Sequence, residues 1–314
     1  MRRREFLLAS ASLAIAGHPA LAADYPRKPI RYVVPVAAGG GNDMIARTVC
    51  ERWGRALGQP FVVENIGGGG GVLACQAVKA AAPDGYTLMQ GYVGTHGTNP
   101  ATRNVPYDAL KDFTPIGMIG GTPNVLVVNA GLPVATLKEF IDYLRANPGR
   151  LSYGSPGNGS SPHLAGEMFK SAAKVFATHI PYRGAAPALT DLLGGQLDYM
   201  FDPGIGLAHV RSGKLRLLAI GSPKRSPLFP DVPTLDEAGL KGFDADSIFG
   251  FYAPAAVPPD VIARLNREIN RVLQTPAVRD RVAGLGGEVL AMSPAEFAER
   301  SRTDAVRFGA IIKE

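Results

Sequence analysis

Pro35-Val36-Ala37-Ala38-Gly39-Gly40-Gly41-Asn42-Asp43 separates an apolar run at 30–36 from a run carrying Ile45, Val49, Trp53 and Leu57 at a spacing of four. The first reads as a buried strand and the second as an amphipathic helix. Three glycines let the backbone turn where a Cβ would clash, so several N–H groups can converge on one ligand. Asn42 reads as the N-cap of the helix that follows. The positive end of that helix would add to the attraction for an anion. Two readings stay open for this stretch taken alone, a plain strand-to-helix turn and an anion seat.

The same succession recurs along the chain. Residues 61–63 read as a strand, and Asn65 with the five glycines 67–71 leads into a helix expected to reach Ala82, before a Pro83-Asp84-Gly85 turn. A strand at 86–89 precedes a small, polar loop at 91–100, in which Gly94, Thr95 and His96 are candidates to face a ligand. Apolar runs at 116–119 and 125–128 flank Gly120-Gly121-Thr122-Pro123, read as a crossing between domains. A helical stripe, Leu137, Phe140, Ile141 and Leu144, is followed by a strand at 151–153 and a second loop rich in glycine and hydroxyls at 154–162. That loop contributes Ser155, Gly157, Asn158, Gly159 and Ser160 as candidates, and a helix with Leu164, Met168 and Phe169 follows.

Further strands are expected at 175–180, 197–201 and 215–220, with a helix at 187–193. The loops after the first two carry Tyr182, Arg183, Gly184 and Asp202. An irregular, proline-rich stretch at 227–242 suits a surface crossing back, before a strand at 248–252, a long amphipathic helix through 261–273 and a terminal helix opened by Ser293-Pro294. Strands alternating with helices imply an α/β fold of mostly parallel sheets with helices on both faces. Two such domains, 23–123 with 248–314 and 124–247, leave a cleft between them. Ligands of open parallel sheets sit at the carboxyl ends of strands, where these loops meet helix N-termini.

Residues 1–22 read as an export leader: Arg2, Arg3 and Arg4, an apolar stretch at 6–16 too short to span a bilayer, and Ala20-Leu21-Ala22 as the cleavage site. Arg3-Arg4 fits the twin-arginine pattern only in part, so Tat and Sec export both stay open. The mature chain is expected in the periplasm. Its formal charge falls from +6 to +4 when the leader goes, with the cations scattered, which gives nucleic-acid binding little support. Cys50 and Cys75, the only cysteines, both fall in expected helices. Export would permit a disulfide, but a chain of this size needs no staple, and two buried thiols is the preferred reading.

Catalytic and metal motifs are missing. There is no G-x-S-x-G elbow, no H-E-x-x-H and no complete P-loop, and His96, His163, His179 and His209 lack ligand spacing. No cofactor and no metal is expected. Arg183 could grip a carboxylate or stand solvated. Asp202 could meet a ligand ammonium or cap the following turn, the second being preferred.

Several phrases together resemble the periplasmic substrate-binding proteins of tripartite tricarboxylate transporters, the Bug family. They include Tyr25-Pro26-Arg27-Lys28-Pro29-Ile30, the Ala37-Ala38-Gly39-Gly40-Gly41 loop, Ala82-Pro83-Asp84-Gly85-Tyr86-Thr87-Leu88, Gly157-Asn158-Gly159-Ser160-Ser161, Pro181-Tyr182-Arg183-Gly184 and Pro230-Asp231-Val232-Pro233-Thr234. The resemblance implies a monomeric two-domain clamshell of the type II periplasmic-binding class. In such a clamshell the loops at 37–43 and 155–161 face each other and hold a small carboxylate by backbone groups and water. It also implies membrane permease subunits as partners and no enzymatic activity. Val36, Asn42, Tyr92-Val93, Pro203 and Ile248 depart from the family pattern near the ligand, Val36 and Ile248 by lacking an aromatic ring. A sensor for a signalling partner and a secreted hydrolase using Ser160 or Ser161 are the alternatives.

Overall fold

The computed structural model describes residues 24–311, so the leader expected at 1–22 lies outside the described residues. The chain opens with β1 (Ile30–Val34), α1 (Gly41–Leu57), β2 (Phe61–Asn65), a 3-10 turn at Gly69–Gly71, α2 (Val72–Lys79) and β3 (Thr87–Tyr92). A π-helical turn at Gly94–Thr98, α3 (Asn99–Thr102) and β4 (Phe113–Thr122) follow. Next come β5 (Val125–Asn129), α4 (Leu137–Ala146), β6 (Ser152–Ser155), α5 (Ser161–Ala173), β7 (Thr178–Pro181), α6 (Ala185–Leu193), β8 (Tyr199–Asp202), α7 (Leu207–Arg211) and β9 (Leu215–Ile220). The chain ends with β10 (Ser247–Pro254), α8 (Pro259–Leu273), α9 (Pro276–Gly284), β11 (Glu288–Val289) and α10 (Pro294–Ile311).

These strands form two sheets flanked by helices, one in the order β11-β4-β10-β3-β1-β2 and the other β7-β6-β8-β5-β9. Both are mixed, which corrects the expectation of mostly parallel sheets. The strand–helix–strand runs do pair in parallel, β1 with β2 and β3, and β6 with β7 and β8. Antiparallel pairs arise where the chain changes sheet: β5, entered directly from β4, runs against β8 and β9, and the returning β10 runs against β3 and β4. The chain passes from the first sheet to the second between Thr122 and Val125.

The return crossing comes later than expected. Residues 227–242 stay with the second sheet, where Ile220 donates to Pro233 O and Leu235 donates back to Ile220 O, both at 2.9 Å. Leu235, Leu240 and Phe243 are buried in that sheet's core, so the chain leaves only after Ala245. Their apolar spacing was masked by the surrounding prolines. Helix α2 stops at Lys79, short of Ala82, because the residue ahead of Pro83 is pushed out of helical geometry. The stretch at 91–100 is no loop: β3 runs on to Tyr92, and the buried π turn is held by Thr95 Oγ1 on the Tyr92 N–H and by Tyr107 OH on Thr95 O. Helices α3, α7 and α9 and the short β11 were not foreseen.

Trp53 of α1 anchors the first core, fully buried, stacked on Phe61 at 4.8 Å and 5.0 Å from Phe251. Phe140, Phe169, Tyr199 and Phe201 fill the second. Cys50 and Cys75 are free and buried, in separate clusters. Burial pushes the Cys75 thiol up to about 12. Gly250 of β10 lies directly under the ring of Phe297 on α10, which leaves no room for a side chain. Gly250→Val should therefore cost about 1–3 kcal/mol by overpacking this contact, read as a lower urea midpoint with an unchanged slope.

Candidate functional site

The first loop is braced from inside the protein. Asp43, buried in the first turn of α1, accepts from the Gly39 N–H at 2.9 Å, from Arg47 Nε at 3.0 Å and from Asn65 Nδ2 at 3.0 Å. The same Asn65 amide reaches Val36 O at 3.1 Å. Burial alone would raise the Asp43 carboxyl, but Arg47, the Gly39 N–H and Asn65 outweigh it and hold it below the usual carboxylate range. Gly40, and not Asn42, is the N-cap, with no side-chain cap bond. Asn42 lies one residue inside the helix, because the turn closes a residue or two earlier than the glycine run suggests.

The second loop has a different brace. Ser160 caps α5, accepting from the His163 N–H and donating to Gly157 O at 2.7 Å. His163 Nδ1 accepts from the Gly159 N–H at 3.1 Å, and Ser155 Oγ bonds His179 Nε2 at 2.7 Å. The two imidazoles lie 4.2 Å apart. Burial, with His163 adding to it, lowers His179 to about 4, and His163 is lowered for the same first reason. Ser161 Oγ lies 2.5 Å from Ser247 Oγ, which in turn donates to Asn124 Oδ1 at 3.2 Å. This chain links α5 to both crossings.

The loops of the two sheets touch. The Ala37 N–H donates to Arg183 O at 2.9 Å, Asn158 O packs on Gly70, and Asn99 packs on Gly159. Between them lies a narrow cavity, partly open to solvent. Val36, Gly40, Gly41 and Asn42 line it from the first loop, and Pro156, Ser160, Ser161 and Pro162 from the second. Ala185, Pro203, Tyr92, Ser247 and Phe249 complete the wall. None of these side chains is charged. Three helices begin there: α1 and α6 start buried and without a side-chain cap, and α5 starts on Ser160. The N–H groups of a first helical turn have no partner in their own helix; in α5 Pro162 has no N–H and that of His163 goes to Ser160, so the uncapped donors at the wall belong mainly to α1 and α6, with the positive helix ends behind them.

The foreseen residues divide accordingly. Gly40, Gly41, Asn42 and Ser160 stand on the wall, whereas Ala37, Ala38, Gly39, Asp43, Ser155, Gly157, Asn158 and Gly159 shape the two loops. Tyr182 OH is taken by Asp191 at 2.6 Å, and the Arg183 side chain is exposed, with only its carbonyl across the cleft. Gly184 packs against Ala37. Asp202 caps the turn before α7, accepting from the Gly204 and Gly206 N–H groups at 2.9 Å each; its burial pushes the carboxyl up to about 7.

His96 is a correction. It is stacked on Tyr252 at 3.7 Å, bonded to Thr95 through Nδ1, lowered to about 3 by burial, and it lines a separate pocket with Phe297 and Ser301. Gly94 and Thr95 pack on or bond Tyr92, so this segment positions a wall residue without reaching the wall itself. Ile248 also turns away. Successive strand residues face opposite sides, and it is Phe249 that meets the cavity. Pro156, Pro162 and Ala185 were missed because they carry no polar group to single them out, although alternation along β10 could have found Ser247 and Phe249 together.

The family model for the tripartite tricarboxylate transporter family receptor matches residues 45–314. The chain belongs to that receptor family. Among its relatives, protein BugT of Bordetella pertussis is 36% identical over 304 residues, covering 94% of this chain and 92% of that protein. MatC of Rhodopseudomonas palustris, solved with bound malate, superposes with a TM-score of 0.88 at 34% identity, over 92% of this chain and 100% of that one. A second R. palustris protein, solved with adipate, gives 0.89 at 34% identity, over 92% and 98%.

The receptor is thus a solute-binding protein of a periplasmic family and not an enzyme. The hydroxyls of Ser160 and Ser161 are bonded to Gly157 O and Ser247, with no imidazole on either. Among the described residues no helix is long and apolar enough to cross a membrane.

The second brace gives the receptor a pH signature. Unfolded histidine protonates near about pH 6.5, while folded His179 resists down to about 4, so its contribution to stability is full above 6.5 and shrinks as pH falls between them. Asp202, raised in the fold, acts with the opposite sign over an overlapping range. In urea titrations at stepped pH, wild type should gain stability over His179→Asn as pH rises from 4 to 6.5, and lose it relative to Asp202→Asn as pH rises from about 4 to 7.

Proposed function

We propose that this receptor captures a small carboxylate in the cleft between its two sheets and delivers it to the membrane permease subunits of a tripartite transporter. In this reading 23–123 with 248–314 forms one body and 124–247 the other, turning about the crossings near Pro123 and Ser247. The exported, monomeric chain works in the periplasm, its leader at 1–22 removed.

The observation that carries this reading is the meeting of three helix starts on a cavity wall without a charged side chain. A carboxylate leaving water loses several kcal/mol of hydration. Each helix N-terminus returns about 0.3–1 kcal/mol, up to about 2 where partly buried, and backbone N–H groups supply the hydrogen bonds. Donors come from both sheets, α1 from one and α5 and α6 from the other, so an anion favours the closed arrangement by the contacts it gains only there. The similar R. palustris proteins were solved with malate and with adipate, both small carboxylic acids.

Protein unfolded and refolded to remove carried-over ligand should melt several degrees higher with at least one acid from a panel of mono-, di- and tricarboxylates and acidic amino acids, and not with the corresponding amides. No stabilisation by any acid would refute the proposal.

A further inference from the structure

The character of the wall narrows the ligand beyond the proposal of a carboxylate seat, on which this inference rests. Its polar side chains are few and mostly committed: Ser160 donates to Gly157 O, and Ser161 and Ser247 bond each other. The nearby acids are turned to other work. Asp43 is filled by three donors, and Asp202, fully buried and capping the turn before α7, does not line the cavity. Arg183 sends its side chain to solvent. Apart from the Asn42 amide and the Tyr92 hydroxyl, which donates to Gly70 O at 2.9 Å, what remains is apolar, with buried Val36, Tyr92 and Phe249 joined by three prolines.

We propose that the cavity selects an acid with one carboxylate and an apolar body, and discriminates against acids that carry an ammonium group or a second carboxylate. An ammonium would lose its hydration next to three positive helix ends with no acidic side chain to receive it. A second carboxylate would be pressed against Val36 or Phe249, with no charged side chain and only the neutral Asn42 amide on the wall to offset its lost water. A hydrocarbon end loses nothing there and gains by leaving water.

Four probes of one chain length separate these effects in calorimetry on the refolded, ligand-free protein: hexanoate, adipate, norleucine and hexanamide. Hexanoate should bind about tenfold or more tighter than adipate and norleucine, because each adds a charge that the wall leaves unpaired. Hexanamide should not bind measurably. Adipate or norleucine binding as tightly as hexanoate would overturn the selectivity while leaving the carboxylate seat standing. Failure of all three acids and of the wider panel would overturn the seat itself. Val36→Thr, close in volume and checked by its melting temperature, should shrink the hexanoate-to-adipate ratio about threefold or more. An unchanged ratio in that folded variant would contradict the role given to the wall.

Discussion

An α-helix cannot satisfy the N–H groups of its own first turn, and the site in this receptor depends on that constraint. Elsewhere the chain answers it internally: Thr136 caps α4 by accepting from the Glu139 N–H. At the cleft α1 and α6 begin buried with no side-chain cap, and α5 begins beside them. Buried donors without acceptors are costly, and a ligand carboxylate is the partner that removes the cost. Under the proposed function binding and closure would be one event, because the donors belong to two different sheets.

A seat made of backbone must be held rigid by something other than its ligand. In the first loop that work falls to Asp43, whose carboxylate gathers the Gly39 N–H, Arg47 and Asn65. In the second it falls to neutral imidazoles and hydroxyls, with His163 and His179 receiving or sharing protons from Gly159 and Ser155. Placing the charged and titratable groups behind the loops leaves the wall free of charged side chains. Ligand choice is then decided by shape and apolar contact and not by paired charges. The Ser161–Ser247–Asn124 chain adds a tie between α5 and both crossings, where domain movement would be accommodated.

Much of this was legible in the sequence. The periodicity of Ile45, Val49, Trp53 and Leu57 fixed α1, the glycine loops marked the strand ends, and the run of family phrases pointed to the receptor class. What escaped notice did so for physical reasons. Parallel and antiparallel pairing cannot be told from an apolar run, so the reversed entry of β5 and β10 was invisible. The small residues at 91–100 looked like a loop because a π turn has no composition of its own. Asn42 was read as a cap because asparagine favours that position, yet Gly40 takes it, two residues earlier. His96 drew attention as a titratable group, whereas the wall is built from prolines, an alanine and Phe249, whose role comes only from where the chain brings them.

Gly40 offers the most direct measurement. Its backbone, at φ −78° and ψ 168°, suits any L-residue, and a Cβ placed there would come no closer than 3.9 Å to its neighbours. A valine should therefore leave the fold intact while filling the space in front of the α1 N-terminus. Calorimetry with the best acid of the panel should show binding lost in Gly40→Val, while the empty variant still unfolds in one cooperative transition, its stability lowered only by about 1 kcal/mol for a β-branched N-cap. Full affinity in the folded variant would contradict the assignment of the carboxylate to these helix starts.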